Sequence, residues 1–86
     1  MRIEVRLFAV ARQRAGRPTM ALELPEPATV ALLKRALAEV GPALAPLVPS
    51  LRIAVNSEYA ADDGVILPGA EVAAIPPVSG GSGAGR

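Results

Sequence analysis

The sequence predicts an α+β domain: one mixed sheet of four or five strands, one main helix packed on one face, and a flexible C-terminal tail. Three observations carry that expectation. Residues Arg2 to Phe8 alternate charged and apolar side chains, the period-two pattern of a strand with one buried face. Residues Thr29 to Val40 place apolar side chains at three- and four-residue spacing, the stripe of an amphipathic helix. Residues Glu71 to Ile75 are almost continuously apolar and run into Pro76-Pro77, as expected of a strand central in a sheet and stopped by prolines. A chain of 86 residues, 51% hydrophobic and 20% charged, has room for a single globular domain. That domain is placed at residues 1–77 and the tail at 78–86.

Each element follows from local chemistry. In the first strand Ile3, Val5 and Leu7 share one face and Arg2, Glu4 and Arg6 the other. Phe8 falls out of step with the apolar set and so faces away from the helix, where it either fills an edge of the core or meets a partner. Ala9 to Ala15 is rich in alanine and arginine, a short helical turn closed by Gly16. Thr19 to Leu24 alternates again, with Met20, Leu22 and Leu24 inward, and forms an antiparallel hairpin with the first strand. Pro25 and Pro27 end it. Thr29 stands where a helix N-cap belongs, Val30, Leu33, Leu37 and Val40 point inward, and Lys34, Arg35 and Glu39 point outward. Gly41-Pro42 stops the helix.

Pro42 to Ser50 contains three prolines and reads as a loop with at most a turn of helix. Leu51 to Asn56 is a third strand with Leu51, Ile53 and Val55 inward. Glu58 and Tyr59 fall in a short connection, Asp62-Asp63-Gly64 is a turn, and Val65 to Leu67 is a small edge strand. Pro68-Gly69 turns the chain into the last strand. A hairpin, a crossing helix and a C-terminal strand returning beside the first strand make the β-grasp arrangement. A split βαβ ferredoxin-like fold would need a second substantial helix, and only one good one is present.

Composition closes most chemical routes. The chain has no cysteine and no histidine, which removes disulfides, thiol nucleophiles, imidazole bases and zinc-finger spacings. One phenylalanine and one tyrosine argue against base-stacking platforms, and a net charge of +1 argues against nucleic acid as a partner. No apolar run reaches the roughly 18 residues of a membrane span, and the charged N-terminus lacks the apolar core of a signal peptide. The expectation is a soluble, cytoplasmic protein. Its serines lack an activating histidine, and the lone lysine, Lys34, lies on the outer face of the helix. Asp62-Asp63 and the pair Glu23 and Glu26 read as solvated turn residues, so no metal site is expected. Arg12, Arg14 and Arg17 form a basic cluster that is either plain solvated surface or a patch for an acidic partner.

Gly80-Gly81 differs in kind. It follows a rigid proline pair that directs the chain out of the sheet, and glycine permits close backbone approach. Either the segment is a frayed end, or a narrow enzyme channel takes it and reaches a terminal carboxylate.

These pieces together resemble a known family. Leu7-Phe8-Ala9 with Arg12 and Gly16, the helix opening Ala28-Thr29-Val30, Ala54-Val55-Asn56, and Gly69-Ala70-Glu71-Val72-Ala73 leading into Pro76-Pro77-Val78-Ser79-Gly80-Gly81 look like the small subunit of molybdopterin synthase, the MoaD type of the MoaD/ThiS ubiquitin-like superfamily. The Pro-Pro-Val-Ser-Gly-Gly ending is the most specific part. Thiamine-pathway sulfur carriers share the fold and the double glycine but resemble this chain less in the prolines and first strand.

The resemblance implies a sulfur carrier that is not catalytic alone. An E1-like adenylyltransferase, using ATP and Mg²⁺, would adenylate the carboxylate of Gly81, and a sulfur donor would convert it to a thiocarboxylate. The tail would then enter the large subunit, in a heterotetramer of two small and two large subunits, and give sulfur to cyclic pyranopterin monophosphate. The chain itself would bind no cofactor. Gly81 carries over as the activated position and Gly80 as the clearance beside it, with Pro76, Pro77, Val78, Ser79, Phe8 and Ile75 as partner-binding residues. Two departures stand out. Ala74-Ile75 replaces the family's aromatic pair before the prolines, and Ser82-Gly83-Ala84-Gly85-Arg86 follows the double glycine. Because an amide cannot be adenylated, either a peptidase removes residues 82–86, or they are a linker remnant, or the chain is not a carrier in this form. The alternatives are a carrier or modifier in another pathway (thiamine, cysteine, or conjugation to lysines) and a non-catalytic β-grasp interaction module.

Overall fold

The computed structural model describes residues 1–77; the expected tail lies outside the described residues. The elements run in the order β1 (Arg2–Leu7), α1 (Ala9–Ala15), β2 (Thr19–Glu23), β3 (Ala28–Thr29), α2 (Val30–Val40), β4 (Arg52–Val55), β5 (Glu58–Ala60), β6 (Val65–Ile66) and β7 (Val72–Ile75). Five strands form one mixed sheet in the order β2-β1-β7-β4-β5. β7 lies in its centre, parallel to β1 and antiparallel to β4. This is the β-grasp topology.

The alternation in β1 sets the layers. Ile3, Val5 and Leu7 are buried while Arg2, Glu4 and Arg6 are exposed, and the pairing registers carry that phase across the sheet. Leu7 lies opposite Ala74, Ala74 opposite Ile53, and Ile53 opposite Ala60, so one inward row crosses four strands. α2 covers this inward face with Val30, Leu33 and Leu37, each wholly buried. A leucine so placed contributes about 1.5–3 kcal/mol relative to an exposed one. Thr29 caps α2 as its sequence position suggests: its hydroxyl accepts from the Leu32 N–H at 3.2 Å. Gly16 ends α1 in the left-handed region, at φ 74°, where a β-carbon would be strained. The buried side chains of the described residues are all apolar.

Several sequence expectations need correction. Glu58 and Tyr59 are not a connection but lie in β5, the outer strand beside β4. The hairpin joining β4 and β5 turns on only Asn56 and Ser57, at φ 51° and 71°, the left-handed pair of a type I′ turn. Val65–Ile66 is not an edge of the main sheet; it pairs with Ala28–Thr29 in a separate two-stranded ladder beside the start of α2. Val40 is 56% exposed rather than inward, because it is the last residue of α2 and has turned past the sheet. Lys34 is not fully outward: its ammonium donates to Asp62 at 3.1 Å, and its side chain is only 20% exposed. The proline-rich stretch contains two short 3₁₀ turns, Pro42–Leu44 and Val48–Ser50, and the first buries Leu44.

Candidate functional site

Among the described residues the sheet face opposite α2 is uncovered, and its residues are those out of phase with the core. Arg6, Ala73, Ala54 and Tyr59 stand side by side on β1, β7, β4 and β5. At about 4.8 Å between strands, that row spans about 14 Å. Alanine at its two middle positions leaves a trough, and a groove of about 340 Å³ lies along it. Phe8, 40% exposed, and Tyr59, 63% exposed, line the groove on its two sides, and Glu71 and Ser57 line it as well. The Arg6 guanidinium lies 5.6 Å from the Phe8 ring centre and that of Arg52 lies 5.2 Å from the Tyr59 ring centre. Such cation–π stacking contributes about 0.5–1 kcal/mol at exposed sites and orients the guanidinium.

The sequence-predicted site residues fall at one end of this groove. Phe8 and Ile75 both line it, and the Phe8 N–H extends the β1–β7 ladder by donating to the Ala74 carbonyl at 3.3 Å. Ile75, half-buried, ends β7 opposite Arg52. Pro76 is buried against the domain and Pro77 is exposed, so the chain leaves the sheet beside the open face. Val78, Ser79, Gly80 and Gly81 lie outside the described residues. Sequence reasoning missed Tyr59, Ala54 and Ala73 as site residues. Ala54 could have been found, since it alternates with the inward Ile53 and Val55.

Asn56 holds the opposite end of the sheet together, where β7 begins. Its N–H donates to the Glu71 carbonyl at 2.7 Å, and its side-chain Oδ1 accepts from the Glu71 N–H at 3.0 Å. The β4–β5 turn is thereby tied to the entry of β7.

The remaining candidates form no second site. Ser50 donates its hydroxyl to the Leu47 carbonyl at 2.9 Å, and Asp62 is engaged by Lys34. No group of three or more acidic, histidine or cysteine side chains is placed to hold a metal among the described residues. Arg12 and Arg17 border an open hollow at the end of α1, and Arg14 is exposed nearby. No helix among the described residues is long and apolar enough to cross a membrane.

The sequence matches the ThiS family over residues 5–81, from the first strand to the second glycine. This chain belongs to the ThiS family. It is similar to the molybdopterin synthase sulfur carrier subunit of Arabidopsis thaliana, 35% identical over 92% of this chain and 82% of that protein. Among solved structures, SAMP1 of Haloferax volcanii superposes with a TM-score of 0.82 at 31% identity, covering 93% of this chain and 99% of that one. A complex of subunits 1 and 2 of the molybdopterin-converting factor of Helicobacter pylori matches with a TM-score of 0.65 at 21% identity, over 93% of this chain and 99% of that one. This last likeness is one of fold.

Proposed function

We propose that this ThiS-family chain is a sulfur carrier, the small subunit of a molybdopterin synthase, acting through a carboxylate created at Gly81 once residues 82–86 are removed. The observation that carries this reading is where the family match stops. It ends on Gly81, the residue that must be terminal for the chemistry, and not on the five residues that follow. The curated relative in Arabidopsis, a molybdopterin synthase sulfur carrier subunit, supports the choice of pathway.

The chemistry asks little of this chain's side chains. A Gly81 carboxylate oxygen attacks the α-phosphorus of ATP, pyrophosphate leaves, and an acyl adenylate forms. A hydrosulfide-equivalent donor then attacks the carbonyl carbon, AMP departs, and a thiocarboxylate remains. Splitting one difficult substitution into two easier steps is the benefit of the covalent intermediate. ATP, Mg²⁺ and the catalytic groups belong to an E1-like adenylyltransferase, and the sulfur acceptor, cyclic pyranopterin monophosphate, to the large subunit. In the assembled heterotetramer of two small and two large subunits, Phe8, Ile75 and Pro77 form the docking edge. Val78, Ser79 and Gly80 enter the channel, and Pro76, buried in the domain, anchors the exit.

Intact-mass measurement tests the reading. After incubation with the activating enzyme, ATP and a sulfur source, a chain ending at Gly81 gains the mass of one oxygen-for-sulfur exchange, and the full-length chain stays unchanged. An unaltered trimmed chain, or a modified full-length one, contradicts it. The likeness to SAMP1, a small archaeal modifier protein, favours a second reading as a protein modifier. An isopeptide between Gly81 and a lysine of another protein, seen in the same spectra, would select it.

A further inference from the structure

The sequence carries its positive charge almost wholly as arginine. Of nine basic residues, eight are arginine and one is lysine, and cysteine and histidine are absent. A guanidinium stays protonated and takes no acyl group, whereas a lysine amine is the usual acceptor. Lys34 is therefore the one side chain of this sequence able to form a lasting amide with an activated carboxylate. The structure restrains it. Its Nζ lies 3.1 Å from Asp62 Oδ1, and its side chain is 20% exposed against 70% for Asp62. A carboxylate is far too weak a base to free an ammonium nitrogen for attack, so the pairing holds the nitrogen and does not activate it.

Asp62 is set in place by its backbone. At the start of α2 the Val30 N–H donates to the Gly64 carbonyl at 3.0 Å, and the Ala31 N–H donates to the Asp62 carbonyl at 2.9 Å. These are donors that a helix start leaves without partners inside the helix. The Gly64 N–H closes the loop on the Ala61 carbonyl at 2.8 Å. Lys34 stands one turn along α2 from that seam, on the same side of the helix. The seam that satisfies the helix start thus delivers a carboxylate to the lysine.

We infer that Asp62 is a positioning residue that keeps Lys34 from intercepting the activated Gly81 of another copy, so that the acyl group passes to a partner and not into self-linked chains. The inference rests on the carrier reading. In the suppressed reaction the Lys34 nitrogen, having given a proton to water, attacks the Gly81 carbonyl carbon of an acyl adenylate. A C–N bond forms, the C–O bond to AMP breaks with its electron pair leaving on AMP, and the nitrogen sheds a second proton to water. An exposed ion pair restrains modestly, and the effect on rate is accordingly a few-fold.

Two readouts test this, on variants at exposed positions whose folding circular dichroism confirms. The first treats the full chain with N-hydroxysuccinimide acetate and follows each lysine by peptide mass spectrometry. Asp62→Asn speeds acetylation of Lys34 about threefold, Asp62→Glu returns it to the parent rate, and Asp63→Asn leaves it unchanged. The lysine introduced by Arg35→Lys, on the exposed side of the same helix, reacts faster than Lys34. The second incubates the Gly81-ending chain with the activating enzyme and ATP without a sulfur source. Asp62→Asn gives about threefold more amide-linked pairs than the parent, seen at the mass of two chains less one water, and Arg35→Lys gives more than the parent as well.

A parent-like acetylation rate at Lys34 in Asp62→Asn, or equal yields of linked pairs in that variant and the parent, overturns the inference while leaving the sulfur chemistry intact. A Gly81-ending parent chain that acquires no AMP overturns the carrier reading and the role assigned to Asp62, while the acetylation rates still report the restraint on Lys34.

Discussion

Replacing Asn56 by alanine removes two things at once, and the structure gives a size to each. The side-chain oxygen accepts from the Glu71 N–H at 3.0 Å on the surface, a bond worth about 0.5–1 kcal/mol. The backbone at Asn56 is left-handed, at φ 51°, which asparagine tolerates and alanine resists by about 1 kcal/mol. Asn56→Ala should therefore cost about 2 kcal/mol. Asn56→Gly keeps the backbone at ease and loses only the bond, costing about 0.5–1 kcal/mol. Ser57→Gly, at φ 71°, removes strain and loses no side-chain hydrogen bond, and should stabilise by about 0.5–1 kcal/mol. In urea, a domain of this size loses about 1 kcal/mol per molar. The alanine variant should thus unfold about 2 M earlier with unchanged slope, and Ser57→Gly should shift the midpoint upward. Equal losses for alanine and glycine at position 56, or a loss for Ser57→Gly, would refute the left-handed turn and with it the placement of Tyr59 on the groove wall.

Three further outcomes are expected. Thr29→Ala removes the cap that holds the Leu32 N–H and should cost about 1 kcal/mol by urea titration, with Thr29→Ser restoring most of it. Leu33→Ala empties a wholly buried site beneath the sheet and should cost about 2–5 kcal/mol, a large share of the roughly 4–13 kcal/mol expected for 86 residues; thermal unfolding monitored by circular dichroism would show it. Deleting everything after Ser79 should leave the melting temperature unchanged and abolish thiocarboxylate formation, read by intact mass; retained sulfur transfer would exclude Gly81 as the reactive position.

The frame of the fold was legible because its signals are local. The phase of Ile3, Val5 and Leu7, the stripe of Val30, Leu33 and Leu37, the cap at Thr29 and the apolar run ending at Ile75 each declare burial within a single element. What escaped depends on pairing between distant residues. β5 is three residues long, too short to alternate visibly, and its hairpin turns on Asn-Ser rather than the stronger Asn-Gly signal. β3 and β6 are two residues each and exist as strands only through each other. The groove was half visible. Phe8 and Ile75 stood out by phase and by position before the prolines, whereas the opposition of Ala73 to Ala54 is a matter of register, and register between β4 and β7 is not written in either segment. Lys34 shows the same limit: its helical position points it outward, but Asp62, 28 residues away, draws it down.

The central place of β7 has a consequence for biogenesis. Without it, the β1–β2 hairpin and the β4–β5 hairpin share no ladder, so they are not hydrogen-bonded into one sheet until the last of these strands has been synthesised. A ribosome that stalls before residue 72 releases a product in which the two hairpins share no ladder. Joining of the two hairpins into one sheet therefore waits on the strand that is made last among the described residues.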